Sequence, residues 1–313
     1  MPREYPLSPA MAAFVAASDT FTPQGPTLAD QRAAYRALCR AFTPERPTGL
    51  EVTEFDLGGV PARLYQSLLP APTGGWPCLM FIHGGGWMLG DLASHDFICA
   101  YLADHLPVAV VAIDYRLAPE HPFPAALDDC LQAWRALSEG AAGIRLDPNR
   151  LAVAGDSAGG NLAVALCLTL RDAGQVLPCA QALIYPALSP EPLPSHLECA
   201  DAPLLSLADL QACLECYLPD PRSRESPLAL PLAASHFSGL PPAFVTVAEF
   251  DPLRDDGARY AQRLALDGVQ VEFDPGHGLV HGCLRGQGQI AEVDRLYCRL
   301  FDWLRRAMRL PEA

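Results

Sequence analysis

Two short stretches of this chain carry residue types that can do chemistry, and the spacing within each says which chemistry. The first is Gly155-Asp156-Ser157-Ala158-Gly159, a Gly-x-Ser-x-Gly pentapeptide between the apolar run Leu151 to Ala154 and the helix-like run Gly160 to Leu170. A strand that turns sharply into a helix pushes a serine hydroxyl clear of the backbone, and small flanking residues let neighbouring chain approach. Ser157 is therefore a candidate nucleophile at a helix N-terminus. The pentapeptide alone is also compatible with an ordinary glycine-rich strand-to-helix turn.

The second stretch is His83-Gly84-Gly85-Gly86-Trp87, which follows the apolar run Cys78 to Ile82. Consecutive glycines leave backbone N–H groups uncovered by side chains. Acyl transfer needs such donors aimed where a carbonyl oxygen turns negative, and losing one typically costs roughly 2.7 to 4 kcal/mol. The amides of Gly84, Gly85 and Ala158 are the expected oxyanion hole, with Trp87 as a wall of the substrate pocket. A glycine-rich loop can also cradle phosphate, but no Gly-x-Gly-x-x-Gly pattern or following Lys is present.

A serine is a weak nucleophile without a base, and the base needs a third group to fix its tautomer. In the chain order Ser, Asp, His, both lie downstream. Asp251 follows the apolar run Ala243 to Ala248, at a strand's C-terminal end, in competition with Glu249, Asp255 and Asp256. Asp255 and Asp256 fit better at the start of the following helix, where the dipole favours carboxylates. After a last short strand, Val271 to Phe273, the loop His277-Gly278-Leu279-Val280-His281-Gly282 holds two histidines, and spacing alone leaves both open as the base. His95, His105, His121, His196 and His236 stand in helical or proline-rich settings and read as surface or capping residues.

These residues need a frame. Cys78 to Ile82, Ala109 to Ile113, Leu151 to Ala154, Ala182 to Tyr185 and Ala243 to Ala248 are continuously apolar, as in strands buried on both faces. Helix-like segments at Asp96 to Leu106, Phe123 to Ser138, Ala158 to Asp172 and Asp256 to Asp267 separate them, which predicts a doubly wound parallel sheet with helices on both sides. That rhythm is wrong for the chymotrypsin-like proteases, whose Gly-Asp-Ser-Gly-Gly is in any case broken by Ala158. Alternation from Glu51 to Leu69 predicts an antiparallel strand pair turned at Gly58-Gly59. Asp114 to Pro124, with three prolines, reads as a rigid turn bracing the glycine loop, and Asp114 and Arg116 as scaffold.

Two regions fall outside the alternation. The N-terminal segment carries short helical stretches at Met11 to Ala17 and Leu28 to Phe42, and a Pro, Ser and Leu-rich stretch between about Leu188 and Leu240 holds a helical piece, Leu207 to Tyr217. Together they are expected to form a helical cap over the sheet's C-terminal edge, where such folds bind ligands.

Composition narrows the partners. A formal charge of −14 repels phosphate backbones and anionic membranes, so nucleic acid is not an expected partner. All 22 basic residues are Arg, which removes Ser-Lys and Schiff-base chemistry. No apolar run approaches the roughly 18 to 20 residues of a membrane span. The first ten residues lack a basic start followed by an apolar stretch, and the 11 cysteines are odd in number and mostly embedded in apolar segments. A cytoplasmic protein with reduced core thiols is expected. Cys213 and Cys216 have the Cys-x-x-Cys spacing, but without a second pair or a nearby His neither a metal nor a cofactor is expected.

Taken in order, these segments resemble the hormone-sensitive lipase family of α/β-hydrolases, whose bacterial members are carboxylesterases. The likeness spans nearly the whole chain. The family's His-Gly-Gly-Gly loop matches 83 to 86, its Asp-Tyr-Arg-Leu-Ala-Pro-Glu stretch 114 to 120 and its Gly-Asp-Ser-Ala-Gly-Gly elbow 155 to 160. Its Asp-Pro-Leu-Arg-Asp segment matches 251 to 255, which selects Asp251 as the orienting acid. Its His-Gly-Phe motif aligns with His281-Gly282-Cys283 and selects His281 as the base, with Cys283 departing from the usual Phe.

The resemblance implies an α/β-hydrolase domain over 48–187 and 236–313, an N-terminal cap segment over 1–47 and a cap insertion over 188–235. It also implies hydrolysis of short- to medium-chain acyl esters, and a homodimer. An amidase or peptidase would use the same triad. A non-catalytic small-molecule receptor is the rival from another class, but receptors resembling this family have lost the catalytic His.

Overall fold

The computed structural model describes residues 4–140 and 143–311. Residues 1–3 of the expected N-terminal segment lie outside these. The strands are β1 (Leu50–Leu57), β2 (Val60–Ser67), β3 (Trp76–Ile82), β4 (Ala109–Ile113), β5 (Leu146–Asp156), β6 (Gln181–Ile184), β7 (Ala243–Thr246) and β8 (Val271–Asp274). They form an eight-stranded sheet in the order β1-β2-β4-β3-β5-β6-β7-β8. β1 pairs antiparallel with β2, and β2 antiparallel with β4, whereas every pair from β4 to β8 is parallel. The β1–β2 hairpin turns at Gly58 and Gly59, both at positive φ, the backbone that a two-residue hairpin loop demands.

The helices are α1 (Pro9–Ser18), α2 (Leu28–Phe42), α3 (Asp96–His105), α4 (Ala125–Ser138), α5 (Ala158–Asp172), α6 (Pro194–Glu198), α7 (Leu207–Tyr217), α8 (Arg254–Leu266) and α9 (Ala291–Ala307). Side chains alternate along a strand, so the sheet has two buried faces. In β3, Leu79 and Phe81 join a core with α3 and α9, while Cys78, Met80 and Ile82 join a second core with α4, α5 and α8. The C-terminal helix α9 adds to the elements read from sequence. It presents Val293, Leu296, Leu300 and Leu304 on one buried stripe at helical spacing.

The parallel strands all point their carboxyl ends to the same edge of the sheet. Loops after β3, β5, β7 and β8 therefore deliver the glycine run, Ser157, Asp251 and His281 to one place. Over that edge lie α2 and α7, each opened by a reciprocal capping box, Thr27 with Asp30 and Ser206 with Asp209. α2 is anchored to the glycine loop's neighbourhood. Arg32 donates to the carbonyls of Met88 and Ala118 and pairs with Glu120 at 2.7 Å, and Arg36 pairs with Asp91 at 2.6 Å. The stretch that carries α6 and α7 is rooted on α8 by Asp256, which accepts from the amides of Leu188 and Ser189 and bonds His196 Nε2.

Candidate active site

Ser157 sits at the junction of β5 and α5 with φ 54° and ψ −119°, a strained conformation for a side-chain-bearing residue. The turn can be this tight because Gly159 has no Cβ; one there would collide with the Ile82 carbonyl at the end of β3. The Ser157 amide is held by the Ile184 carbonyl at 2.9 Å, so the strained residue is tied to β6.

His281 lies within hydrogen-bond reach of both proposed partners. Its Nε2 is 2.9 Å from Ser157 Oγ and its Nδ1 2.7 Å from Asp251 Oδ2. A bridge between Phe250 and Val280 brings these two loops together, each contributing the residue next to the reacting one. Asp251 is fully buried, and its second oxygen accepts from the Leu253 amide at 2.8 Å. A carboxylate only accepts, so Nδ1 carries the proton and Nε2 is left to accept from the serine hydroxyl. His277 is placed elsewhere: its side chain is 80% exposed and pairs with Glu249 at 3.6 Å.

The glycine loop curls beside Ser157. Gly85 and Gly86 have φ of 116° and 60°, and both border a cavity of about 480 Å³ that also contains Ser157 and His281. Tyr115 donates to the His83 carbonyl at 2.8 Å and stacks on its ring at 4.3 Å, so the segment after β4 does brace the loop. Burial, and then the neighbouring His95, push the His83 imidazole down to about 4, so it is neutral near pH 7 and donates Nδ1–H to the Gly84 carbonyl. The cavity is also lined by Tyr35 and Leu38 of α2, by Leu205, Leu210 and Cys213 on and just before α7, and by Arg285.

A family model described as alpha/beta hydrolase fold matches residues 79–285. Carboxylesterase NlhH of Mycobacterium tuberculosis is 41% identical over 84% of this chain and 85% of its own length. An ethyl acetate hydrolase of Pseudomonas putida is 37% identical over 82% of this chain and 81% of its own. A solved esterase of the bacterial hormone-sensitive lipase family superposes with a TM-score of 0.85 at 28% identity, covering 96% of this chain and 99% of that one. This chain belongs to the hormone-sensitive lipase family of α/β-hydrolases.

In this α/β-hydrolase one expected donor is corrected. The Gly84 amide is already committed, donating to Asp156 Oδ1 at 2.9 Å, and it cannot also serve an oxyanion. The amides of Gly85, Gly86 and Ala158 make no hydrogen bond among the described residues, so the vacant pair in the loop is one residue further on. Gly84 instead fixes the loop's position. Asp156 is buried, which alone would raise its carboxyl, but His95 and the Gly84 amide outweigh this and hold it below the usual range.

Another reading of the hydrolase's sequence is also corrected. His95 is neither exposed nor a mere cap: it is 2% exposed and bridges Ser94 Oγ at 2.9 Å to Asp156 at 3.3 Å. His196, 8% exposed, does cap α6, its Nδ1 accepting from the Leu193 amide at 3.2 Å, and its Nε2 also bonds Asp256 at 2.9 Å, which anchors the stretch carrying α6 to α8. Trp87 borders the cavity and is 1% exposed, its indole stacked on Tyr217 of α7 at 4.4 Å, so it also ties α7 to the glycine loop. Cys283 is a fully buried core residue whose thiol burial pushes up to about 12.

Asp156, His95, Tyr35 and Arg285 are the site's unforeseen residues. Asp156 stood inside the motif, but its partner Gly84 lies 72 positions away. Among the described residues no group of three or more His, Cys, Asp and Glu is gathered as a metal site.

Proposed function

We propose that this carboxylic ester hydrolase cleaves short- to medium-chain acyl esters through an acyl-enzyme on Ser157. The observation that carries the proposal is the continuous chain Asp251–His281–Ser157, with contacts of 2.7 and 2.9 Å, opening on the cavity. Ser157 Oγ attacks the ester carbonyl as His281 Nε2 takes its proton, and Asp251 stabilises the imidazolium. The carbonyl oxygen, now negative, is met by the amides of Gly85, Gly86 and Ala158. Collapse expels the alcohol, which takes its proton from His281. Water, deprotonated by the same imidazole, then attacks the acyl-serine and regenerates the hydroxyl.

A cavity of about 480 Å³ bordered by Leu38, Leu205 and Leu210 suits a modest apolar acyl or alcohol group rather than a long chain. The ethyl acetate hydrolase among its relatives supports the short end of that range. We read α1, α2 and the 188–235 insertion as the cap, because α2 and α7 close the cavity over the sheet edge. We place its action in the cytoplasm, where cysteines stay reduced, because most of the 11 cysteines are packed in the apolar core. Light scattering of the purified protein tests the homodimer that the family implies.

Ser157→Ala tests the central assignment. It should lower kcat on p-nitrophenyl butyrate by on the order of 10⁵ to 10⁶ and abolish labelling by a fluorophosphonate read as intact mass. Turnover at the parent rate would remove Ser157 from the mechanism.

A further inference from the structure

Arg285 stands at the cavity with no hydrogen-bond or ion-pair partner among the described residues. It lies on the short helical turn Cys283–Gly286 that directly follows His281 and Gly282, and it is 7% exposed. Its Nη2 is 2.9 Å from where a Cβ on Gly282 would be, so the guanidinium folds back against the residue adjoining His281. A guanidinium stays protonated and carries five N–H donors. Nε is buried with no acceptor, and neither Nη1 nor Nη2 makes a hydrogen bond or ion pair among the described residues. Asp156 attracts it from further away, but that carboxylate is engaged by the Gly84 amide and His95. The Tyr35 ring, 6.0 Å from Arg285 Cζ, is at the outer limit of a cation–π contact.

A buried cation with vacant donors is costly unless something pairs with it. Arg285 lines the cavity that holds Ser157, so a group entering there can supply an acceptor to the guanidinium. A planar fork of N–H groups matches a carboxylate bidentately. A single cation, with Asp156 near and leucines around, does not suit a doubly charged phosphate. The overall charge of −14 repels anions from the surface, which leaves this guanidinium as a short-range selector inside.

We propose that Arg285 is a subsite for a carboxylate carried by the ester itself, so that half-esters of dicarboxylic acids, or hydroxy acids acylated on their hydroxyl, are preferred substrates. The inference rests on the Ser157 reading above. Two matched pairs locate the carboxylate: p-nitrophenyl hemiglutarate against p-nitrophenyl pentanoate on the acyl side, and 4-acetoxybenzoate against 4-acetoxybenzamide on the alcohol side. In Arg285→Gln the anionic-to-neutral ratio of kcat/KM should fall by at least about tenfold in one pair, with partial return in Arg285→Lys.

A fall of less than about threefold in both pairs overturns the subsite, and any larger fall in either pair supports it. Should Arg285→Gln not fold, glutarate and glutaramide are compared as inhibitors of pentanoate turnover by the unaltered enzyme: stronger inhibition by glutarate supports the subsite and equal inhibition overturns it. Failure of the unaltered enzyme to hydrolyse any neutral ester would count against Ser157, a separate result.

Discussion

Replacing Asp251 by Asn tests the tautomer argument at the centre of the site. The carboxylate accepts twice, from the Leu253 amide at 2.8 Å and from His281 Nδ1–H at 2.7 Å, in a fully buried position. Asn offers one oxygen and one amino group. If the oxygen faces His281, the amino group meets the Leu253 N–H and two buried donors confront each other, at a cost of about 1 to 3 kcal/mol. The oxygen therefore stays on Leu253 and the amino group faces Nδ1.

His281 must then accept at Nδ1 and carry its proton on Nε2, pointing at Ser157 Oγ, where it can no longer receive one. Such a tautomer reversal lowers kcat by about 10⁴, or roughly 5.5 kcal/mol, while the volume of the side chain is kept. Because the lost interaction belongs to the transition state, KM should move by less than about threefold. Saturation kinetics on p-nitrophenyl butyrate, with circular dichroism to verify the fold, measure both. A fall in kcat below about 100-fold in a folded variant would refute the role given to Asp251.

Further outcomes follow from the same geometry. His281→Ala should lose on the order of 10⁵ to 10⁶ in kcat, whereas His277→Ala, altering a side chain 80% exposed, should stay within about twofold of the parent; retained activity in the former would move the base elsewhere. Burial alone would lower the His196 imidazole, but the Asp256 carboxylate at 2.9 Å outweighs this and raises it above its usual value. The stability from this pair is therefore complete below about pH 6.5 and lost as pH rises through the folded-state value. The Tm advantage of the parent over His196→Gln should be larger at about pH 5.5 than at about pH 9, and a gap that widens toward high pH would contradict the assignment.

Much of the fold was legible because its signals are local. Continuous apolar runs marked β3 to β7, and α2, α5 and α7 begin and end where the helix-like segments read from the sequence do. The chain beyond Gly282 shows how such a signal is missed: α9 carries an apolar stripe as regular as any in the chain, yet no motif drew attention to it. The catalytic candidates were legible for a different reason. A strained serine turn needs glycines beside it, and a base and an acid must stand at strand ends, so residue type and position narrow the choice.

Residue type by itself determined that a serine, a base and an acid were available at the ends of parallel strands, and that a glycine run lay ready to supply amides. Only tertiary structure decided which members meet. It set His281, which the family motif pointed to and spacing alone did not, between Asp251 and Ser157; it gave the Gly84 amide to Asp156 and left Gly85 and Gly86 open; and it buried Arg285 beside His281 with no hydrogen-bond or ion-pair partner among the described residues. The physical reason is that a hydrogen-bond donor is vacant or satisfied according to what packs against it from distant parts of the chain. Local spacing encodes where a donor stands, and the approach of β5 to the glycine loop encodes whether it is still available.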